Sequence, residues 1–421
     1  MDLFEIRDPL YGFVEVNEWE RTIIDHPAFQ RLRHIKQLGL TEYIYPSATH
    51  SRFEHSIGTM SLASQMYDCI VGKEKNIQIL KDNLSFNESG IERDRQLIRL
   101  AALVHDIGHS PFSHAPEDLM PINPQTGKPY RHEDYTVAVI KGPLKAVIEE
   151  HPINGNYHIQ ADEVAAVIEG NAAVLKDRVF WKVLISGQLD ADRGDYLLRD
   201  SHHIGVKYGV YDYSRMVKSL VLGTDLESGE VILGISHGSR QVAEAVILAR
   251  YQMFTQVYFH KTRRAYDFHL NGAMREVLPN GLLPPPDKIE EYISYDDSKI
   301  WTMIKQASEK PDCKAVVNWS HIRLLHNTSE TPDEKEMDYF EGLVKALDKK
   351  EIWNHVDLAE TTWYRLNDQE SKEISIIDKW GKVDPLSSFS KIVKNMGAVK
   401  RSSVYVKMAD REMAEQIKKG M

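Results

Sequence analysis

Residues 100–114 read LAALVHDIGHSPFSH, and this stretch decides the predicted fold. Five apolar residues, 100–104, run without a break into His105 and Asp106, and Gly108 follows two positions later. So dense an apolar run predicts the buried end of a helix, with Gly108 as its C-terminal stop. An imidazole and a carboxylate at the end of a buried helix are costly to desolvate unless something pairs them.

A divalent cation is one such partner, because His nitrogen and Asp oxygen are both good ligands for first-row metals. The alternative is an ordinary helix C-terminus, with His105 as a capping residue and Asp106 in water. The dipeptide alone leaves both interpretations open.

The composition is that of an ordinary globular protein, with 42% apolar and 27% charged residues among 421. This length allows one large domain and a smaller one. The net charge of -10 does not favour a nucleic-acid partner. Two distant cysteines, Cys69 and Cys313, exclude a disulfide framework and a thiolate zinc cluster. The sequence has no apolar signal region and no stretch of membrane-spanning length, so we expect a soluble, cytoplasmic protein without membrane contacts.

The sequence pattern predicts helix for about half of the residues before 275 and strand for very few of them. Residues 3–16 alternate around a Pro-Leu-Tyr-Gly turn and predict a small hairpin. Residues 17–38 have helical spacing, which Pro27 splits in two. A further helix begins at Phe53, and the charged residues 72–95 are expected to form an exposed loop.

A second helical pattern covers residues 180–199 and puts Leu189, Asp192 and Tyr196 on one face. Beyond the proline run at 284–286, a helix start at Thr331 and a final strand and short helix predict a mixed region. The expected fold class is therefore mainly α, with a small N-terminal hairpin and a smaller mixed α/β C-terminal region. The predicted domains are 1–275, the helical core, and 276–421, which would serve oligomerisation or act as a lid.

Four potential metal ligands fall on three predicted buried helices, namely His55, His105, Asp106 and Asp192. Two imidazoles and two carboxylates suit a five- or six-coordinate metal with open water positions better than a closed zinc site. Such a metal lowers the pKa of a bound water, which fits hydrolysis of phosphoesters. Nearby imidazoles could move protons near neutral pH. Spacing alone does not exclude scattered core histidines.

Four segments resemble the HD-domain dNTP triphosphohydrolases, a family that includes the bacterial dGTP triphosphohydrolases (dGTPases). They are HSRFEHSIGT at 50–59, HDIGHSPFSH at 105–114, HE at 132–133 and LDADRGDYLLRDSHHIG at 189–205. The N-terminal stretch DPLYGFVEV is similar as well. The resemblance implies a helical HD-domain core in which a metal-activated water attacks the α-phosphorus of a dNTP. The products would be a deoxynucleoside and inorganic triphosphate.

The resemblance also implies roles for individual residues. It identifies the metal ligands as His55, His105, Asp106 and Asp192. It places the proton-transfer machinery at His109, His114, His132 and Glu117. Substrate contacts would come from Arg52 at the α-phosphate, Gln37 and Leu38 at the sugar, Tyr196 and Asp200 at the 3′-hydroxyl, Arg193 and Lys261 at phosphates, and Tyr266 stacked on the deoxyribose. The metal could be Mg, Mn, Fe, Co, Ni or Zn, since all accept such ligands.

Regulation by a nucleotide is a further implication of the resemblance. Asp25, Gln30 and Arg33 match residues that hold an activating guanine nucleotide between subunits in a member of the family. A homo-oligomer, with a tetramer favoured, is expected on the same ground. The alternative for the three residues is a charged helix face at a subunit contact.

Two other function classes stay open. A different HD-domain hydrolase, such as a phosphodiesterase, a 5′-nucleotidase or a nuclease, would use the same metal chemistry. A nucleotide-sensing or nucleic-acid-binding module could keep the fold without catalysis, although pure binding needs no open metal site.

Overall fold

The computed structural model describes residues 3–84, 86–225, 228–361 and 373–421. Most of the elements are helices: α1 (Glu18–Asp25), α2 (Pro27–Gln30), α3 (Arg52–Val71), α4 (Glu74–Asn83), α5 (Glu88–Val104), α6 (His132–Lys141), α7 (Lys145–Glu149), α8 (Ala161–Glu169), α9 (Ala172–Leu175), α10 (Ala191–Ile204), α11 (Tyr213–Ser219), α12 (Arg240–Met253), α13 (Lys261–Val277), α14 (Ile289–Ile293), α15 (Asp297–Gln306), α16 (Pro311–Val317), α17 (Glu334–Lys349), α18 (Lys391–Asn395) and α19 (Arg411–Lys419).

The strands are short and fall into three small sheets. They are β1 (Phe4–Asp8), β2 (Gly12–Val16), β3 (Leu220–Thr224), β4 (Val231–Ser236), β5 (Arg323–Asn327), β6 (Asn354–Thr361), β7 (Ser375–Ile377), β8 (Val383–Pro385) and β9 (Val399–Val406). The spatial orders are β1-β2, β3-β4-β7-β8 and β5-β9-β6. The predicted fold class is confirmed: a helical core, an N-terminal hairpin and small mixed sheets in the C-terminal region.

Helix α3 is the centre of the core. It packs against α5 on one side and α10 on another. The fully buried side chains of these helices include Met60, Leu103 and Leu197. Because the four predicted metal ligands lie on α3, on α10 and in the turn after α5, the packing of these helices brings them together.

The segment after α2 differs from its prediction. Helical spacing continues to residue 38, but α2 ends at Gln30 and a short 3₁₀ turn covers 31–34. The chain then runs extended, since the Gln37 backbone N–H donates to His50 O at 2.9 Å and Arg52 N–H donates to Ile35 O at 2.9 Å. Pairing with the segment before α3 therefore replaces the predicted last helical turn.

The exposed loop predicted over residues 72–95 is wrong. Helix α4 occupies 74–83, and α5 already begins at Glu88. Asn76 is buried there, donating to Ile70 O at 3.1 Å and accepting from the backbone of Leu222 at 3.0 Å. A buried amide with both groups satisfied packs like an apolar residue, which hides the inward face of α4 from a hydrophobicity pattern.

The helix predicted over 180–199 is interrupted. Residues 176–184 form 3₁₀ turns, and α10 begins only at Ala191. The Asp190 carboxylate accepts from the backbone N–H groups of Gly187 and Arg193, both at 2.7 Å. Asp190 is therefore an N-cap that starts a new helix at this point.

The C-terminal region packs on the core through α13, which contacts α15 and α16. The predicted final strand and helix correspond to β9 and α19, whereas the cap of α17 is Asp333 and not Thr331. The division at residue 275 stays a prediction. Among the residues that the structure describes, none of the helices is both long and apolar enough to cross a membrane.

Candidate metal centre and active site

The turn after α5 carries the His-Asp pair. Helix α5 ends at Val104, and Gly108 is not a left-handed helix stop, so that prediction is wrong. A side-chain carbon at Gly108 would lie 2.1 Å from Thr136 N and 2.5 Å from His132 O. Glycine is therefore required because the first turn of α6 touches this backbone. Thr136 Oγ1 fastens the contact by accepting from Gly108 N–H at 3.1 Å and donating to His105 O at 3.0 Å.

The four predicted metal ligands come close together. Ligand atoms of His55, His105 and Asp106 all lie within 4.8 Å of one another. His55 Nε2 is 3.1 Å from an Asp192 oxygen, and His105 Nε2 is 3.7 Å from the same oxygen. Within the described chain, buried His105 Nε2 has no hydrogen-bond partner. An orphaned imidazole nitrogen facing two carboxylates fits a divalent cation.

Neighbouring groups fix the orientation of both imidazoles. His55 Nδ1 lies 2.8 Å from Asp195 Oδ2, and His105 Nδ1 donates to Ala102 O at 2.8 Å. The Arg199 guanidinium donates two hydrogen bonds of 2.8 Å to the Asp195 carboxylate. With both Nδ1 atoms engaged, both Nε2 atoms face the carboxylates, which is the arrangement common around protein-bound metals.

The charges in this cluster favour the binding of a cation. Burial opposes charge on His55, but bonds to Asp192 and Asp195 outweigh it and raise the pKa of this imidazole to about 10. Burial also opposes charge on Asp106, yet the neighbouring cations His105, Arg52 and His55 hold the pKa of that carboxyl well below its usual range. A dication can take the place of these protons.

Arg52 and the predicted sugar-reading residues lie on adjoining segments. The Arg52 guanidinium pairs with Asp106 and donates to Ser113 Oγ at 2.8 Å. Ser113 Oγ in turn donates to Lys36 O at 2.6 Å, next to Gln37 and Leu38. Both of these side chains are buried, and Gln37 Oε1 has no hydrogen-bond partner within the described residues.

A second group of imidazoles lies beyond Asp106. His109 Nε2 is 3.4 Å from an Asp106 oxygen, and its ring stacks on His132 with centroids 3.9 Å apart. Glu117 is 2.7 Å from His114 Nδ1 and 3.3 Å from His132 Nδ1. Burial, followed by the nearby cation Arg52, lowers the pKa of His109 well below its ordinary value, which keeps this imidazole neutral.

The remaining predicted substrate residues differ in their surroundings. Asp200 is buried with both oxygens engaged, one by His50 at 2.8 Å and one by Tyr258 at 2.6 Å. Tyr196 lies one turn from Asp192 on α10, and burial raises its pKa to about 12. Asp200 thus has one protein partner at each oxygen, and each oxygen keeps a second acceptor site.

Of the three other predicted contacts, two are partly occupied by the protein itself and one is exposed. Arg193 pairs with the Asp190 cap and with Gly187 O. Lys261 is exposed at the start of α13. Tyr266 is buried, with the ring of Tyr43 at 4.8 Å and that of His321 at 4.6 Å.

One cavity adjoins the predicted metal ligands, and another adjoins the predicted allosteric residues. One of about 340 Å³ is lined by His105, Asp106, Asp192 and His132, with Lys182 on its wall. Another of about 490 Å³ is lined by Arg33 and Asp25, two of the predicted allosteric residues, together with the hairpin. The third, Gln30, accepts from Arg33 Nε at 2.8 Å.

Sequence reasoning missed Asp195, Arg199, Ser113 and Asp297. The first two had a detectable signal, since Asp192, Asp195 and Arg199 follow at i, i+3 and i+7 on one helix face. Asp297 had none, because its partner Phe112 lies 185 residues away.

Two family models match this chain. The HD domain matches residues 52–171, and the HD associated region matches residues 211–352. The first range holds His55, His105 and Asp106. The chain belongs to the HD-domain family.

Individual relatives agree with this class. The uncharacterized protein MJ1154 of Methanocaldococcus jannaschii is 38% identical over 302 residues, 71% of this chain and 54% of its own length. A deoxynucleoside triphosphate triphosphohydrolase, the SAMHD1 homolog of Dictyostelium discoideum, is 30% identical over 317 residues, 73% of this chain and 55% of its own. The chain spans about half the length of these two relatives. The crystal structure of a phosphohydrolase from Bacteroides thetaiotaomicron superposes with a TM-score of 0.70 at 26% identity, over 96% of this chain and 100% of that one.

Proposed function

We propose that this protein hydrolyses deoxynucleoside triphosphates to a deoxynucleoside and inorganic triphosphate. The observation that carries the proposal is the bridge Arg52–Ser113–Lys36, which joins the His-Asp cluster to the buried pair Gln37 and Leu38. A phosphate bound beside the cluster would therefore have its sugar next to that pair. The name of the Dictyostelium relative supports the same substrate class.

His55, His105, Asp106 and Asp192 would hold the divalent cation, which is Mg, Mn, Fe, Co, Ni or Zn. When bound, such a cation lowers the pKa of a coordinated water and offsets phosphate charge. The orphaned Nε2 of His105 is the atom that fits this role most directly. Asp195 keeps His55 in the tautomer that a metal requires.

Cationic side chains would bind the triphosphate. Arg52 stands beside Asp106, where its guanidinium can reach the α-phosphate and stabilise charge that develops on it. Arg193 and Lys261 would contact the outer phosphates. Asp190 orients the Arg193 guanidinium through a partly buried ion pair, so this cation is positioned before substrate arrives.

The shape of the pocket would distinguish deoxyribose from ribose. Leu38 is buried and would pack where a ribose 2′-hydroxyl would lie. A hydroxyl left without a partner there would cost about 1–3 kcal/mol. Gln37, whose amide oxygen has no partner among the described residues, would bond the sugar. Tyr196 and Asp200 would bond the 3′-hydroxyl, and Tyr266 would stack on the deoxyribose.

The group His109, His114, His132 and Glu117 would transfer protons. Burial opposes charge on His132, but Glu117 and Glu133 outweigh it and raise the pKa of this imidazole. A protonated imidazole here can donate to the departing 5′-oxygen. Neutral His109 can accept a proton.

Regulation and assembly belong to the same proposal. Asp25, Gln30 and Arg33 would bind an activating nucleotide in the cavity beneath the hairpin, and the protein would form a homo-oligomer, favouring a tetramer. Light scattering with and without nucleotide tests this part. A monomer under both conditions would contradict it.

Product analysis tests the reaction. Each of the common dNTPs and one NTP would be incubated with Mn²⁺ or Mg²⁺ and wild-type protein, Asp106→Ala, or the control His202→Ala, an exposed histidine on α10. We expect triphosphate release from dNTPs with wild type and control, and none with Asp106→Ala. Monophosphate with pyrophosphate, or turnover of nucleic acid alone, would replace the proposal by another HD-domain hydrolase. No turnover at all would favour a binding module.

A further inference from the structure

An exposed tryptophan follows helix α16 and contacts the aromatic residues of the predicted sugar site. Trp319 is 66% exposed. Its ring centroid lies 5.9 Å from that of Tyr43, and the ring of Tyr43 lies 4.8 Å from that of Tyr266. Tyr266 is buried and Tyr43 is half-buried. Successive contacts among the three rings therefore lead from the interior of the protein to the solvent.

The backbone of Trp319 has a conformation that a large side chain disfavours. Its φ angle is 55°, in the left-handed region. The Ser320 N–H donates to Ala315 O at 3.0 Å, so Trp319 occupies the position after a helix end where glycine is usual. Glycine would adopt this conformation without a steric penalty. Because such backbone outliers cluster at ligand-binding places, a bulky tryptophan here points to a function of its side chain.

The row of rings begins where the sugar of the substrate would lie. Tyr43 is the last residue of the 3₁₀ turn that directly follows Leu38, and Tyr266 is the ring predicted to stack on the deoxyribose. In a nucleotide, the base and the triphosphate are attached to opposite sides of the sugar. With the phosphates held at the buried His-Asp cluster, the base would be the outermost part of the substrate, and Trp319 is the outermost ring of the row.

We propose that Trp319 is a further substrate-binding residue, whose indole stacks on the base of the nucleotide. The inference rests on the proposed function for the identity of that nucleotide, a deoxynucleoside triphosphate. Stacking on an aromatic ring accepts any base, because every base has a π-face. Trp319 would therefore add affinity for all four dNTPs without selecting one of them through hydrogen bonds.

Tryptophan fluorescence tests the contact directly, because a base stacked on an indole quenches its emission. Full-length wild type, Trp319→Phe and Trp380→Phe, each loaded with Mn²⁺, would be mixed with each common dNTP or with inorganic triphosphate and read by stopped flow before turnover. Trp380 is 79% exposed and serves as the matched control. We expect saturable quenching by every dNTP in wild type and Trp380→Phe, loss of most of it in Trp319→Phe, and none with inorganic triphosphate.

Steady-state kinetics then separates binding from chemistry. Trp319→Ala should raise KM about tenfold for every dNTP at a nearly unchanged kcat, because it loses the stacking surface. Trp319→Phe keeps an aromatic ring and should restore a KM close to that of wild type, and Trp380→Ala should match wild type as well. A residue that only packs on Tyr43 would change the thermal stability and leave these KM values unchanged.

The outcomes separate this inference from the proposed function. Quenching that persists in Trp319→Phe, or a wild-type KM in folded Trp319→Ala, would overturn the inference. Quenching that requires Trp319, without triphosphate release from any dNTP, would refute the proposed reaction and leave the stacking site in place. Triphosphate release together with quenching that does not depend on Trp319 would refute the stacking site alone. Neither quenching nor triphosphate release would refute both.

Discussion

The carboxylate of Asp297 accepts a hydrogen bond from the backbone N–H of Phe112 at 2.7 Å. Its other oxygen accepts from Lys36 N–H at 2.9 Å. Phe112 and Ser113 have positive φ angles of 59° and 63°, a conformation that side chains disfavour and that needs support. Because Ser113 holds Arg52, one carboxylate of the HD associated region fixes both segments around the predicted phosphate-binding arginine.

We therefore expect Asp297→Asn to lower kcat about ten- to a hundredfold at mildly alkaline pH, since small misplacements of binding groups have effects of this size. An amide has one oxygen and cannot accept from both N–H groups. Steady-state turnover of the substrate found by product analysis is the measurement. The control is Asp296→Asn, since Asp296 caps α15 and asparagine caps equally well. An unchanged kcat in folded Asp297→Asn would contradict the positioning role.

The same carboxyl predicts a pH dependence of stability. Burial, only partly offset by the two N–H donors, raises the pKa of Asp297 from 3.8 to about 7. Between these values the folded protein binds more protons than the unfolded chain, so the free energy of unfolding falls as the pH rises, by about 4 kcal/mol in all. Because an asparagine does not titrate, the Asp297→Asn variant lacks this pH-dependent contribution to the free energy of unfolding.

Denaturant unfolding of wild type and Asp297→Asn across about pH 4 to pH 8 measures it. The wild-type advantage should shrink steadily up to about pH 7 and then level off. Parallel curves for the two proteins would show that Asp297 titrates normally.

How far the sequence predicts this molecule depends on the range of each interaction. The cluster of His55, His105 and Asp106 could be predicted because each residue lies in a local motif on a buried helix or directly after one. Asp297 could not, because it shows its role only once α15 packs on residues 108–113. The same is true of the extended segment at Gln37, whose backbone bonds go to His50 and not to its own helix.

Two other predictions, the exposed loop at residues 72–95 and the helix over 180–199, were wrong because of single polar side chains. Helix α4 has polar or charged residues at most positions, and the buried Asn76 replaces an apolar residue on its inner face. At residues 176–190 the apolar spacing persisted, but the Asp190 cap ended the pattern. Both errors arise because hydrogen bonds of one side chain outweigh the hydrophobic periodicity around it.

Gly108→Ala should push the turn after α5, which carries His105 and Asp106, away from α6. The added carbon meets backbone atoms of Thr136 and His132, which can move only with the whole helix. Overpacking of this kind costs about 1–3 kcal/mol, and displacement of His132 should lower turnover as well. Thermal unfolding and turnover are the measurements. Gly155→Ala is the matched control because nothing lies within 4 Å of its new carbon. Equal stability of the two variants would refute the close contact.

Asp195→Asn should weaken metal binding at the site formed by His55, His105, Asp106 and Asp192, although it removes none of these ligands. Asp195 orients His55 through a 2.8 Å contact and is itself held by Arg199, which ion-pairs with Asp8 at 2.9 Å. An asparagine keeps the shape but loses the charge that makes His55 a strong ligand, and such changes reduce metal affinity about ten- to a hundredfold. Calorimetric titration of chelator-treated protein with Mn²⁺ measures the affinity, with circular dichroism to establish folding. Asp212→Asn, at the exposed cap of α11, should bind Mn²⁺ like wild type. If Asp195→Asn also binds like wild type, the orientation of His55 does not depend on this carboxylate.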